Sequence, residues 1–219
     1  MKLRIVLFFV LAIAGISAKA QTGFPFDNEI RDFKHQDSIS FPAKNQILFI
    51  GSSSIRKWTD LEQRFSGVPI IRRGVGGCTL EQLVDYYTPY ILFPYHPRKI
   101  FIYAGDNDIA SGKTGVFVAE EFKKLWAMIH TQLPDADVYF MAVKPSNSRA
   151  KYIPEVNTAN KLVAEFLSGT KKGHYVDLAT VVLDPKTGMP DDSLFEGDRL
   201  HLNSKGYDKW QTVLQPLVK

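Results

Sequence analysis

Short runs of β-branched and aromatic residues alternate with longer stretches of helical periodicity along most of this chain. Such alternation is typical of a parallel sheet that helices cover on both faces. We therefore predict an α/β fold, a three-layer α/β/α sandwich with a central parallel sheet of about five strands. The five runs predicted as strands are residues 46–51, 69–72, 99–104, 137–143 and 174–178.

The stretches between these runs carry apolar residues at helical spacing, and several begin with a helix start signal such as Thr79 followed by Gln82. They predict helices over residues 79–90, 116–132, 154–168 and 204–217. The segment 22–45 is polar with scattered phenylalanines and carries no predicted element. Because no repeat or linker interrupts the pattern, we predict one domain over residues 21–219.

The first twenty residues have the pattern of a secretory signal peptide. Basic residues precede the apolar run 5–16, and small residues at 18 and 20 suit a signal peptidase, so cleavage is expected before Gln21. A membrane anchor is the rival interpretation, but the run is shorter than the roughly 20 residues that span a bilayer. The only cysteine, Cys78, lies far from this site, so no lipid-acceptor cysteine is present there. We expect a secreted or periplasmic protein without stable membrane insertion.

The charge pattern argues against nucleic-acid binding. The chain has 27 basic and 23 acidic residues, and they are spread along it rather than clustered in a basic stripe. A mildly basic surface is the simpler interpretation.

In an open parallel sheet, ligands bind at the carboxyl ends of the strands. The first predicted strand ends in Gly51-Ser52-Ser53-Ser54-Ile55, where a strand-to-helix turn can present a hydroxyl to solvent. An ordinary helix cap is the alternative role of such serines. The cluster does not fit the G-x-S-x-G turn of α/β-hydrolases, because Ile55 occupies the second glycine position.

Two more candidate segments follow the second and third predicted strands. Glycines over residues 74–77 allow a tight turn in which the backbone N–H of Gly77 approaches a ligand, although they do not form a dinucleotide-binding fingerprint. The segment Gly105-Asp106-Asn107-Asp108 offers the Asn107 amide as a hydrogen-bond donor to an oxyanion. Its two aspartates also raise the possibility of a metal site, but no partner cluster is visible and we predict none.

Near the C-terminus, Asp198 and His201 stand three residues apart on a loop before the last predicted helix. This spacing lets the carboxylate fold back onto the imidazole and orient it, as an aspartate does beside a catalytic base. The other histidines are expected to be surface or packing residues; they are His35, His96, His130 and His174.

Together these segments resemble, in order and spacing, the SGNH (GDSL-like) hydrolase family across nearly the whole mature chain, with an SGNH/flavodoxin-like fold. FIGSSSI is similar to the nucleophile block, GVGGCTL to the glycine block, AGDNDI to the G-x-N-D block and DRLH to the D-x-x-H block. The resemblance implies a catalytic triad and an oxyanion hole. The triad residues would be Ser53, Asp198 and His201, and the oxyanion donors Ser53, Gly77 and Asn107.

The chain departs from the family pattern at two positions. Ser52 stands where an aspartate usually precedes the nucleophile, and Arg72 stands where an asparagine often opens the glycine block. A further segment, Lys144-Pro145-Ser146 followed by Arg149, resembles a KPS-x-x-R stretch of some family members. Arg149 is an expected substrate-binding residue, with a solvated loop arginine as the alternative.

The resemblance implies a serine esterase that works through an acyl-enzyme without a cofactor, and the signal-peptide pattern implies that it is secreted. Its expected substrate is a short-chain (acetyl) ester on carbohydrate, and an acyl-lipid or lysophospholipid ester is the alternative. Trp58, Phe93 and Tyr95 are candidates to line an acyl groove, or else core residues. A noncatalytic glycan- or lipid-binding protein of the same fold is the competing class, but it predicts a broken site residue and none is broken.

Overall fold

A single parallel sheet organises the computed structural model, which describes residues 23–219; the predicted signal peptide lies outside the described residues. The sheet order is β2-β1-β3-β4-β5 with every pair parallel, which confirms the predicted α/β fold and its five strands. The strands are β1 Ile47–Gly51, β2 Ile70–Gly74, β3 Lys99–Tyr103, β4 Asp137–Met141 and β5 Gly173–Val176.

Helices pack on both faces of this sheet. The α-helices are α1 Asp27–Ile39, α2 Ser53–Arg56, α3 Leu61–Arg64, α4 Leu80–Gln82, α5 Thr88–Ile91, α6 Asp106–Ala110, α7 Gly115–Gln132, α8 Ile153–Ser168 and α9 Ser204–Leu214. A π-helix, Leu83–Tyr87, joins α4 to α5, and short 3₁₀ helices span Phe93–Tyr95, Asn147–Tyr152, Thr180–Val182 and Asp192–Leu194. Within the described part of the chain, no helix is both long and apolar enough to cross a membrane.

Alternate strand residues point into two separate cores, as the two-residue period of a strand requires. Leu48, Ile100 and Phe140 pack with α7 and α8 on one face of the sheet. Phe49 and Phe101 pack with α9 on the other face. All five residues of β1 are buried, because β1 lies inside the sheet and is covered on both sides.

The predicted helix over 79–90 is present but interrupted. Thr79 and Gln82 form a reciprocal capping box at its start, and the chain then widens into the π-helix Leu83–Tyr87 before α5. Pro89 explains the break, because it has no backbone N–H to donate to the preceding turn and its ring crowds that turn.

The segment 22–45 holds a helix that the sequence did not predict. Helix α1 buries only Ile30 completely, so its apolar periodicity is weak. Tertiary contacts hold it instead: Asp37 accepts hydrogen bonds from Arg73 Nη2 at 2.5 Å and from the Tyr95 hydroxyl at 2.6 Å. These partners lie far along the chain, so a local pattern does not reveal them.

Gly51 ends β1 where its backbone lies against that of Tyr103 in β3. Its φ is +141°, and a Cβ built on it would lie 1.9 Å from the carbonyl oxygen of Tyr103. Only glycine fits there. The tight turn lets Ser52 N–H donate to that same carbonyl at 2.9 Å, which fixes the start of the loop that follows β1.

Gly51→Ala is expected to lower the free energy of unfolding by at least about 3 kcal/mol, because it adds both an unfavourable φ and a backbone clash. Urea unfolding followed by circular dichroism measures the change. Gly169→Ala is the matched control, since the nearest atom to its added Cβ is at an ordinary 3.7 Å. Equal stability of the two variants would contradict this account of Gly51.

Candidate active site

Of the three consecutive serines after β1, the structure exposes one. Ser52 and Ser54 are 0% and 1% exposed, whereas Ser53, the first residue of α2, is half-buried. The Ser54 hydroxyl finds no hydrogen-bond partner among the described residues, and the Ser52 hydroxyl makes only a long contact of 3.4 Å with Asp106 Oδ1. Ser53 is therefore the least buried of the three serines at the carboxyl edge of the sheet.

The structure brings Ser53, His201 and Asp198 together in one chain of hydrogen bonds. His201 Nε2 lies 2.9 Å from Ser53 Oγ, and His201 Nδ1 lies 2.5 Å from Asp198 Oδ2. The other Asp198 oxygen accepts the backbone N–H groups of Leu200 and His201, both at 2.9 Å. The carboxylate thus folds back onto the ring across three residues, as the spacing predicts.

These contacts also set the charge of Asp198. Partial burial opposes its ionisation, but the hydrogen bonds from the His201 ring and from two backbone N–H groups outweigh it and hold the pKa of Asp198 well below its ordinary value. Asp198 is therefore an anion at neutral pH, and its acceptor role favours the tautomer that carries the proton on Nδ1. Nε2 is then free to accept the proton of Ser53.

Helix α9 holds the loop of His201 against α2 and α3. Arg64, whose side chain is 11% exposed, donates to Asp208 Oδ1 at 2.5 Å and to Ser204 Oγ at 2.9 Å. The Tyr207 hydroxyl donates to the backbone carbonyl of Ser54 at 3.0 Å. The position of His201 relative to Ser53 thus depends on contacts between segments about 140 residues apart.

In the glycine segment after β2, the backbone N–H groups of Gly76 and Gly77 differ in whether they have a hydrogen-bond acceptor. Gly76 N–H donates to Glu29 Oε2 at 2.9 Å, whereas Gly77 N–H has no acceptor among the described residues. Gly77 is exposed and has a φ of +79°, so its peptide can turn that N–H outward. Its Cα faces the ring of Phe26, because a Cβ there would lie 3.4 Å from Phe26 Cζ.

Asn107 joins the third strand's loop to the glycine segment. Its Nδ2 donates to the carbonyl of Cys78 at 3.0 Å, and its Oδ1 accepts from Arg149 Nη2 at 2.9 Å. A side-chain amide carries two N–H bonds, so one remains for a further acceptor. Asn107 is half-buried, and this second N–H is the donor that the sequence predicts for an oxyanion.

The two aspartates beside Asn107 bind protein groups. Asp108 Oδ2 accepts from Leu80 N–H at 2.8 Å and its Oδ1 from Glu81 N–H at 3.3 Å, so it caps the start of α4. Asp106 accepts from Arg149 Nη1 at 3.3 Å. Across residues 23–219, no three His, Cys, Asp or Glu side chains come together as a metal site would require.

Arg149 is not a solvated loop residue. Its side chain is 23% exposed and makes three hydrogen bonds, to Asn107 Oδ1, to the backbone carbonyl of Asp106 at 3.0 Å and to the Asp106 carboxylate. The guanidinium therefore contacts the predicted oxyanion donor directly.

Sequence reasoning missed the burial of Lys144. This residue is 3% exposed, its ammonium lies over the rings of Tyr103 and Phe195, and burial lowers its pKa to about 8. With Ser146 and Arg149 it lines a cavity of about 10 Å³, which has room for about one water molecule. The sequence signal that could have identified Lys144 as a site residue was its position just after β4, at the carboxyl edge of the sheet.

The other residues that the sequence analysis considered lie in the cores or bind other protein groups. Trp58 and Tyr95 are fully buried and Phe93 packs against a core, so they do not line an open groove. Arg72 donates to Glu62 at 3.1 Å and to the carbonyl of Arg56 at 3.0 Å. Among the other histidines, His130 stacks on Trp126 and His174 stacks on Tyr139, which suits packing roles.

Comparison with known proteins gives a family and a fold. Residues 37–209 match the family model described as GDSL-like lipase/acylhydrolase. No relative was found among curated protein sequences. A Streptococcus pneumonia protein named as a platelet activating factor is similar in structure, with 20% identity, a TM-score of 0.76, and 88% of this chain and 92% of that chain covered.

Two further solved structures are similar. A GDSL-like lipase from Bacteroides thetaiotaomicron has 16% identity and a TM-score of 0.71, with 88% of this chain and 98% of that chain covered. A mutant acetyl-xylooligosaccharide esterase from a Geobacillus species has 15% identity and a TM-score of 0.63, with 81% and 95% covered. At these identities the likeness establishes the fold alone.

Asp108 is expected to make stability depend on pH. Burial raises its pKa to about 6, although backbone N–H groups of Leu80 and Glu81 oppose that shift. Because its folded pKa exceeds the unfolded value, its contribution is fully present below about pH 4 and is lost as the pH rises through 6. Relative to wild type, Asp108→Asn should therefore gain about 1–3 kcal/mol of unfolding free energy between pH 4 and pH 7.

Urea unfolding of both proteins at several pH values measures this difference. Asp135→Asn, which changes an exposed carboxylate, is the matched control. A difference between Asp108→Asn and wild type that stays constant from pH 4 to pH 7 would mean that Asp108 is charged in the fold throughout.

Proposed function

The chain belongs to the GDSL-like lipase/acylhydrolase family, and on that premise we propose that it is a secreted serine esterase that hydrolyses carboxylic esters through an acyl-enzyme. Ser53 is the proposed nucleophile, His201 the general base and Asp198 its orienting partner. Ser53, Gly77 and Asn107 are the proposed oxyanion donors.

One observation carries this proposal. The carboxylate of Asp198, the ring of His201 and the hydroxyl of Ser53 form a continuous hydrogen-bonded chain, with distances of 2.5 and 2.9 Å. A nucleophile bonded to a base, which is in turn oriented by a third group, is the arrangement that activates a serine hydroxyl. Neither neighbouring serine has such a partner.

Acylation begins when Ser53 Oγ attacks the ester carbonyl and passes its proton to His201 Nε2. Asp198 holds the ring and stabilises the imidazolium that forms. The carbonyl oxygen becomes negatively charged, and collapse of the tetrahedral intermediate expels the alcohol, which takes the proton from His201. The acyl group remains on Ser53 until a water molecule, activated by the same imidazole, releases it as the acid.

The developing oxyanion is met by donors from three different strand ends. The backbone N–H of Ser53 opens α2, the N–H of Gly77 is free of other acceptors in the described chain, and Asn107 keeps one amide N–H available. Such fixed donors stabilise the transition state more than the ground state, because they point at charge that forms only during the reaction. None of these steps calls for a metal or an organic cofactor.

Short-chain esters on carbohydrate are the proposed substrates. The aromatic side chains that the sequence offered for a long acyl groove lie in the cores, which favours a small acyl group. The similar Geobacillus protein is an esterase of acetyl-xylooligosaccharides, which supports the same class. The signal-peptide pattern supports export, and polysaccharides are accessible outside the cytoplasm.

The first test is hydrolysis of p-nitrophenyl esters, from acetyl to palmitoyl, by the mature protein. We expect the acetyl ester to have the highest kcat/KM, and Ser53→Ala to lower that value by roughly 10⁴-fold or more, because the nucleophile is lost. His201→Ala should lose a similar factor, since residues that act as a unit give similar losses.

Ser54→Ala is the matched control, because its buried hydroxyl has no hydrogen-bond partner in the described chain and its loss should change kcat/KM by less than about 2-fold. Long acyl chains as the best substrates would favour the acyl-lipid alternative. An absence of turnover with every ester would favour the glycan-binding alternative.

Asn107→Ala is expected to reduce kcat by on the order of 10² to 10³ while leaving measurable activity, because one of three oxyanion donors is removed. The effect should fall on kcat rather than KM, since the ground-state carbonyl binds these donors weakly. Steady-state kinetics with p-nitrophenyl acetate measures both constants. A change confined to KM would show that Asn107 binds the substrate in its ground state instead.

A further inference from the structure

The guanidinium of Arg149 and the amide of Asn107 form a contact that the proposed mechanism has not used. We propose that Arg149 is a positioning residue that holds the Asn107 amide in the orientation required to donate to the oxyanion. This inference rests on the proposed function and assigns Arg149 a role in it other than contact with substrate.

Arg149 fixes which way round the Asn107 amide is held. A guanidinium has only donors, so it can bind the oxygen of an amide but not its nitrogen. Arg149 Nη2 donates to Asn107 Oδ1 at 2.9 Å, while Asn107 Nδ2 donates to the Cys78 carbonyl at 3.0 Å. If the amide were flipped, its nitrogen would face the Arg149 donor and its oxygen would face the Cys78 carbonyl, and neither pair could form a hydrogen bond. The contacts at both ends therefore enforce the observed orientation.

The same contact strengthens the amide as a donor. A positive charge at the amide oxygen draws electron density from the nitrogen, and charge-assisted hydrogen bonds polarise the groups next to them. The side chains of Arg149 and Asp106 are 23% and 7% exposed, so water competes only weakly with the hydrogen bonds of the guanidinium.

Arginine suits this position better than lysine. Its planar fork places Nη2 on Asn107 Oδ1 while Nη1 donates to the backbone carbonyl of Asp106 at 3.0 Å. The guanidinium thus donates hydrogen bonds to two consecutive residues at the start of α6. An ammonium is a single point charge and cannot reproduce this geometry.

The 3₁₀ segment that carries Arg149 is itself tied to the loop of Asp198 and His201. The Ser148 hydroxyl donates to the backbone carbonyl of Arg199 at 3.1 Å. Asn147 Nδ2 donates to the carbonyl of Pro190 at 2.8 Å and to Asp192 Oδ1 at 2.7 Å. Arg149 therefore starts from a backbone position that is fixed relative to the proposed base.

A double-mutant cycle tests whether Arg149 acts through Asn107. With p-nitrophenyl acetate, Arg149→Met should lower kcat by about 10- to 100-fold with little change in KM, because a misplaced donor affects the transition state. In the Asn107→Ala background the same change should cost less than about 3-fold, since the group that Arg149 positions is gone. Arg149→Lys should recover only part of the loss.

Two further arms separate positioning from general damage to the fold. Guanidinium ion should restore part of the kcat of Arg149→Ala, which a merely destabilised protein would not show. Arg98→Met is the matched control: this exposed arginine donates to the carbonyl of Lys219 near the start of β3, outside the site. Its kcat should remain at the wild-type value.

The Asn107 side-chain amide provides a readout that needs no esterase activity. Its two proton resonances, assigned by their absence in Asn107→Ala, should move and exchange faster with water in Arg149→Met, because the amide is released. Unchanged resonances would overturn the proposal. So would equal losses of kcat from Arg149→Met in the presence and absence of Asn107, or an effect confined to the KM of anionic esters.

The same experiments distinguish failure of the proposed function. Equal hydrolysis by wild type and Ser53→Ala would reject Ser53 as the nucleophile, and the amide resonances would still decide whether Arg149 positions Asn107.

Discussion

The backbone approach at Gly51 and Tyr103 is the constraint on which the rest of the site depends. The Tyr103 carbonyl accepts from Ser52 N–H at 2.9 Å, and the Gly51 carbonyl accepts from Val75 N–H at 2.8 Å. Backbone hydrogen bonds thus continue past the ends of β1 and β2, and the loops after these two strands start from fixed positions. Sites built on regular elements hold their geometry better than sites built on free loops.

This edge carries one half of the proposed site, and the loop before α9 carries the other. Ser53, Gly77 and Asn107 follow β1, β2 and β3, which are neighbours in the sheet. His201 comes from a long irregular connection, so its position depends on the anchoring of α9 by Arg64 and Tyr207. The segment of Arg149 contacts both halves, and its proposed role follows from that location.

Charged groups that are expensive to bury are concentrated beneath this edge. Asp106, Asp108 and Lys144 are 6%, 1% and 3% exposed, and the pKa values of Asp108 and Lys144 move toward the neutral form because of burial. Burial of charge lowers stability unless partners compensate it. Such clusters occur more often at functional sites than elsewhere, which agrees with the position of this one beside Asn107.

The sequence alone determined the features that depend on neighbouring residues. Strand and helix periodicity is local, so the five strands and the helical segments that follow β2, β3, β4 and β5 were predicted within a few residues, whereas the short helices α2, α3 and α6 were not predicted. Motif order indicated Ser53, Gly77, Asn107, Asp198 and His201. Helix α1 was missed, because its stability comes from Arg73 and Tyr95 rather than from its own pattern.

Only the tertiary structure decided which serine hydroxyl meets His201 and what Arg149 contacts. Ser52, Ser53 and Ser54 are chemically identical in sequence, and their burial depends on how α2 packs under α9. The partner of Arg149 lies 42 residues away in the chain. A guanidinium can bind many acceptors, so long-range packing determines which acceptor lies next to Arg149.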